Sequence, residues 1–124
     1  MSRILAGLCL ALVCACNWKS QPAAPRGSSD ILTSQEIAAT PVDNAYDAVQ
    51  RLRPEFLRER PTGFGALQRP TVFINGIRRG GVEILRTIST TTISEIRYLS
   101  APEASSRYGM DVVAGVIDVT VITR

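Results

Sequence analysis

The 124-residue chain contains no histidine. That absence excludes a His-based triad, a His general base and a His-ligated metal. Cysteine is confined to Cys9, Cys14 and Cys16. The rest of the chain therefore builds neither a disulfide framework nor a Cys-ligated zinc site. Lysine occurs once, as Lys19, so arginine supplies the other 13 of the 14 basic residues. Arg favours bidentate, partly desolvated contacts more than Lys does. The net charge is only +3, and Glu55 and Glu59 stand among Arg51, Arg53, Arg58 and Arg60. A nucleic-acid binder concentrates its basic excess on one stripe with stacking aromatics, whereas charges mixed in this way pair with one another on a solvated face. No nucleic-acid partner is expected. There is also no Gly-Lys-Ser/Thr, so Gly76, Gly80 and Gly81 read as turn glycines rather than a phosphate cradle. What is present is 45% hydrophobic and 20% charged, the composition of one globular domain.

The longest apolar run is ILAGLCLALVCA, Ile4 to Ala15. A membrane-spanning helix needs about 20 such residues. This shorter run follows the positive Arg3 and reads as the core of a secretory signal over residues 1–15. Its end, Val13-Cys14-Ala15-Cys16, resembles a bacterial lipobox, with an apolar residue, then a small residue directly before cysteine. Cys16 fits best, because small Ala15 precedes it, whereas Val13 precedes Cys14 and Leu8 precedes Cys9. The resemblance implies that Cys16 is acylated and becomes the mature N-terminus. Two or more acyl chains give stable anchoring. Asn17, rather than Asp, follows Cys16, which by the same resemblance leaves export to the outer membrane open. Residues 16–29, rich in Pro, Ser, Ala and Gly without periodicity, read as a flexible tether.

The folded part is expected at 30–124. Asp30-Ile31-Leu32 is a short apolar opening, and Thr33 or Ser34 before Gln35-Glu36 can cap a turn. Thr40-Pro41 reads as N-cap and first helical residue, with Ala45, Ala48, Val49 and Leu52 on one face and Pro54 ending the helix near Arg53. Residues 61–70 hold two Gly and two Pro and read as a loop. Thr71 to Ile74 is a strand, Asn75-Gly76 a hairpin turn, and Ile77 to Arg79 the return. A short helix is expected around Val82 to Arg86. Ile93 to Leu99 is a strand with Ile96 and Tyr98 on one face and Glu95 and Arg97 on the other. Pro102 to Tyr108 suits a helix stopped by Gly109. Val116 to Ile122 is the most β-prone stretch, with Ile117, Val119 and Val121 on one face. The order predicts an α+β domain, a small mixed sheet of about four strands with short helices.

Residues 71–124 resemble the plug domain of TonB-dependent outer-membrane receptors. Four segments carry the resemblance: TVFINGI at 71–77, ISEIRYL at 93–99, PEASSRYG at 102–109 and AGVIDV at 114–119. They match a strand–turn–strand, a second strand, a proline-opened helix ending in Tyr-Gly, and a closing strand. Where that family carries Arg-Gly at the strand-to-helix junction, this chain has Ser100-Ala101. A receptor continues into a barrel of roughly twenty strands, while this chain ends at Arg124. Without a barrel it is expected to transport nothing by itself.

The resemblance implies a non-enzymatic binding or accessory module of an outer-membrane transport assembly, lipid-anchored and facing the periplasm. A free-standing structural envelope lipoprotein that keeps the fold without transport is the alternative. No base–nucleophile pair is legible, and no cofactor is expected. Asp111, Glu103 and Asp118 lack the spacing of a calcium loop. Asp118 is expected on an exposed face or at a sheet edge. The candidates for a partner-facing surface are the turn Asn75-Gly76 and the arginines Arg78, Arg79, Arg86 and Arg97.

Overall fold

The computed structural model describes residues 29–63 and 65–123. Cys16, the secretory signal and all of the tether but Ser29 lie outside the described residues.

The chain enters through β1 (Ile31–Thr33) and turns directly into α1 (Ser34–Ala38). Thr33 caps that helix: its Oγ1 accepts from Glu36 N, and the Glu36 carboxylate accepts from Thr33 N at 2.9 Å. This reciprocal pair satisfies two otherwise orphaned donors. The next helix, α2 (Ala45–Leu52), begins later than Thr40-Pro41 predicts. Asn44 is the N-cap, with Oδ1 accepting from Asp47 N at 2.9 Å. Thr40 serves α1 instead, its hydroxyl donating to Glu36 O at 3.0 Å. α2 stops at Arg53, before Pro54, as expected, and a 3-10 turn follows at Pro54–Leu57.

Residues 61–70 are more ordered than their Gly and Pro content suggests. β2 (Arg60–Pro61) and β3 (Leu67–Gln68) form a separate two-stranded hairpin. β4 (Thr71–Ile74) and β5 (Ile77–Gly80) form the Asn-Gly hairpin. Asn75 and Gly76 have φ of 49° and 79°. Positive φ at both positions is the reversal whose twist matches a β-hairpin. Two 3-10 turns, Val82–Thr87 and Thr90–Thr92, lead to β6 (Ile93–Leu99). α3 (Ala101–Tyr108) opens on the Ser100–Glu103 capping box and ends at Gly109, and β7 (Val116–Val121) closes the fold.

The main sheet has the order β1-β6-β7-β4-β5. β4 and β7 run parallel and the other neighbours antiparallel. The small mixed α+β sheet expected with about four strands has five, the fifth being Ile31–Thr33, which pairs with β6 and places Leu32 opposite Ile96. Three residues are too few to show an alternation, so the opening segment gave no sign of being a strand.

Two apolar layers cover the sheet. On one face Leu32, Val72, Ile96, Tyr98, Ile117 and Val119 pack against Ile37, Ala45, Ala48, Val49, Phe56, Val82 and Leu85. On the other, Phe73, Leu99 and Val116 pack against Ala104 and Val112, with Tyr108 alongside. Each fully buried Val, Leu, Ile or Phe contributes about 1.5–3 kcal/mol relative to exposure. Gly115 lets the start of β7 lie close against β6. Its φ is +89°, and a Cβ there would stand 2.7 Å from Leu99 O and overlap Tyr98 Oη. Only glycine lets β7 start against β6 at that point. Among the described residues no helix is long and apolar enough to cross a membrane.

Candidate functional site

The expected partner-facing residues divide into three groups. Asn75 and Gly76 form the exposed tip of the β4–β5 hairpin. Asn75 is nevertheless committed to the fold: its Oδ1 accepts from Val121 N at 2.9 Å and its Nδ2 donates to Val121 O at 3.3 Å. The Asn75 backbone N–H donates to Val119 O at 2.9 Å. The turn is thus sewn to the end of β7, and its side chain spends its polar capacity there.

Arg78 and Arg79 lie on β5, an edge strand, and both are exposed. Among the described residues neither forms an ion pair, although Arg53, Arg69 and Arg97 do. Arg86 is exposed in the following 3-10 turn and stacks on Tyr46, its guanidinium carbon 3.9 Å from the ring centroid. Such a contact contributes about 0.5–1 kcal/mol at an exposed site. Arg97 stands apart from the other three. It lies on β6, with β7 and β4 between it and the hairpin edge, and its Nη2 is 3.0 Å from Glu95. The structure therefore gathers Asn75, Gly76, Arg78 and Arg79 on one hairpin and leaves Arg97 elsewhere.

Asp118 corrects its sequence reading. It sits on the central strand rather than at an edge, in register with Arg97 on β6 and Phe73 on β4. It is half-buried and accepts from Tyr108 Oη at 2.8 Å. Tyr108 stacks on Phe73 with ring centroids 4.0 Å apart. Burial pushes the Tyr108 hydroxyl above its usual range, and the hydrogen bond to the Asp118 carboxylate pushes it the same way. A hydroxyl held in its neutral form orients a carboxylate; it does not supply a phenolate nucleophile at neutral pH.

Glu103 accepts from Ser100 N and Oγ, at 3.1 and 2.7 Å, which holds its carboxyl below the usual range. Among the described residues no three His, Cys, Asp or Glu side chains lie together, and no polar or charged residue is fully buried.

One surface feature had no counterpart in the sequence reading. A shallow, mainly apolar cleft of about 450 Å³ lies between the hairpin, the end of β7 and the 87–92 segment. Ile74, Ile88, Val121 and Ile122 line it together with Thr87, Ser89, Thr92 and Thr123. Ile122 and Ile77, opposite Ile74 on β5, are each 58% exposed. Ile77 opens β5, and Ile122 falls just past β7, which ends at Val121 rather than at the expected Ile122.

Comparison of the chain with family models, with curated proteins and with solved structures found no match.

Proposed function

We propose that the chain is an exported lipoprotein anchored through Cys16, and that its folded part is a plug-like, non-enzymatic module serving an outer-membrane transport assembly. The observation that carries this reading is the adjacency of β6, β7, β4 and β5 in one sheet. Three of the four segments that resemble the plug domain supply those strands. The fourth supplies α3, which packs on the same sheet through Ala104 and Tyr108. Separate sheets would have removed the basis of the resemblance.

The polar groups support a binding role. Glu36, Glu103, Asn44, Asn75 and Asp118 hold caps, a turn and a helix-to-sheet contact. A surface open to a partner is the β4–β5 hairpin, whose Arg78 and Arg79 are exposed and form no ion pair among the described residues. Fold alone does not assign function, so the role in transport rests on the family resemblance.

The test is fatty-acid labelling and membrane fractionation of the full chain in a two-membrane bacterium, beside Cys16→Ser. Labelling and outer-membrane recovery that both disappear in Cys16→Ser support the reading. A variant that still labels refutes the acylation site, and an unlabelled, soluble wild-type chain refutes the anchored module.

A further inference from the structure

The β5 strand ends the sheet, and no strand covers its outer side among the described residues. The hairpin closes on the Ile74/Ile77 pair. In a two-residue hairpin that pair exchanges the cross-strand hydrogen bonds. The next pair, Phe73/Arg78, therefore turns the Arg78 N–H and C=O away from β4. These groups form the open half of a ladder.

Charge decides what can complete it. Arg78 and Arg79 are exposed and free of carboxylate partners among the described residues, while nearby Glu83 is engaged by Arg69 at 3.5 Å. The register shift opposite Val72/Phe73 and the two adjacent arginine charges shield this edge from casual pairing. They shield it selectively. A second copy of β5 would bring arginines against arginines, whereas an acidic strand would neutralise them. Ile77 pairs with Ile74, which lines the apolar cleft, and so lies on the face opposite Arg78; an alternating strand would meet charge on one face and an apolar side chain on the other.

We propose that β5 accepts an extended acidic segment of a partner protein as a sixth strand. Its backbone bonds at Arg78, its carboxylates meet Arg78 and Arg79, and an apolar side chain packs on Ile77. This is strand addition, in which main-chain bonds give affinity and side chains give selectivity. The inference deepens the reading of the hairpin as partner-facing by naming the partner's chemistry.

The probe is a short blocked peptide of alternating Glu and Val, with an alternating Lys and Val peptide as control. Both are titrated against the full chain in detergent, with hydrogen exchange reporting the site. The Glu peptide binds, slows exchange at 78–80, and weakens as salt rises. The double reversal Arg78→Glu/Arg79→Glu weakens it by about tenfold or more and transfers preference to the Lys peptide. Arg78→Gln/Arg79→Gln, which removes charge without reversing it, gives an intermediate affinity. No binding of the Glu peptide, binding unmoved by the reversal, or protection outside 78–80 overturns the proposal. So does protection of 78–80 by anionic phospholipid vesicles in place of the peptide, or by self-association. Because peptide binding needs no acylation, a wild-type chain that takes up no fatty acid would refute the proposed function while leaving this result standing.

Discussion

Asn75 and Val121 are joined through both polar groups of the Val121 backbone. The Asn75 side chain accepts from its N–H at 2.9 Å and donates to its C=O at 3.3 Å. β4 and β7 are parallel neighbours, and this contact extends their pairing past Ile74, where β4 has already turned back. One residue thus makes the reversal and seals the end of the last strand.

Replacing it separates the two roles. Asn75→Gly keeps the positive-φ turn and loses both side-chain bonds; Asn75→Ala loses the bonds and also strains the turn. Each exposed hydrogen bond contributes about 0.5–1.5 kcal/mol. Urea unfolding should rank wild type above Asn75→Gly and Asn75→Gly above Asn75→Ala, with the last about 1–3 kcal/mol below wild type. Equal stability of all three would mean that the contact contributes nothing.

A second prediction concerns Gly115. Gly115→Ala places a Cβ against Leu99 O and Tyr98 at a positive φ. Strain of that kind costs about 1–3 kcal/mol, and the displaced Tyr98 adds to it. Gly63→Ala, with nothing within 4 Å of the new Cβ, should be close to neutral. Thermal melts of the two variants decide the matter, and similar shifts in both would contradict the packing described for β7 and β6.

The Tyr108–Asp118 bond is tested by Tyr108→Phe, which keeps the stack on Phe73 and removes the hydroxyl. A half-buried carboxylate then loses its partner, at a cost of about 1–3 kcal/mol. Adding Asp118→Asn to Tyr108→Phe should recover part of the loss in a double-mutant cycle. Additive effects would show that the bond does not couple the two residues.

Acid sensitivity follows from Glu36. The backbone N–H of Thr33 is the main cause that holds its carboxyl below the ordinary 4.5; the Thr33 hydroxyl and Arg53 act the same way, and burial opposes them. A carboxyl depressed on folding adds stability that is fully present above its unfolded value and is lost as pH falls through the folded one. Wild type should therefore lose stability on acidification below about 4.5. Glu36→Gln should be less stable at neutral pH and lose less across that window. Parallel pH profiles would remove Glu36 from the account.

Much of this architecture was legible because the relevant signals are local. Asn75-Gly76 demands positive φ wherever it stands. Gly109 stops α3, and Thr33 with Glu36 forms a cap within four residues of chain. The misses are contacts between distant segments. Ile31–Thr33 becomes a strand only because β6 offers an edge. Thr40-Pro41 has a good start signal, yet Thr40 is taken by the end of α1 and Asn44 caps α2. Asp118 has the same neighbours in sequence whether β7 is central or at an edge, so only the strand order places it. The site divides in the same way. The hairpin and Arg78-Arg79 were visible in sequence, whereas the bond from Asn75 to Val121, the pairing of Arg97 with Glu95 and the apolar cleft were not.

Photo-crosslinking from position 79 in intact cells tests the accessory-module claim most directly, with position 106 on exposed α3 as the control. The account predicts an adduct from position 79 that mass spectrometry identifies as an outer-membrane barrel protein, with none from position 106. Equal adducts from both positions, or none from 79 in a chain recovered at the outer membrane, would contradict it.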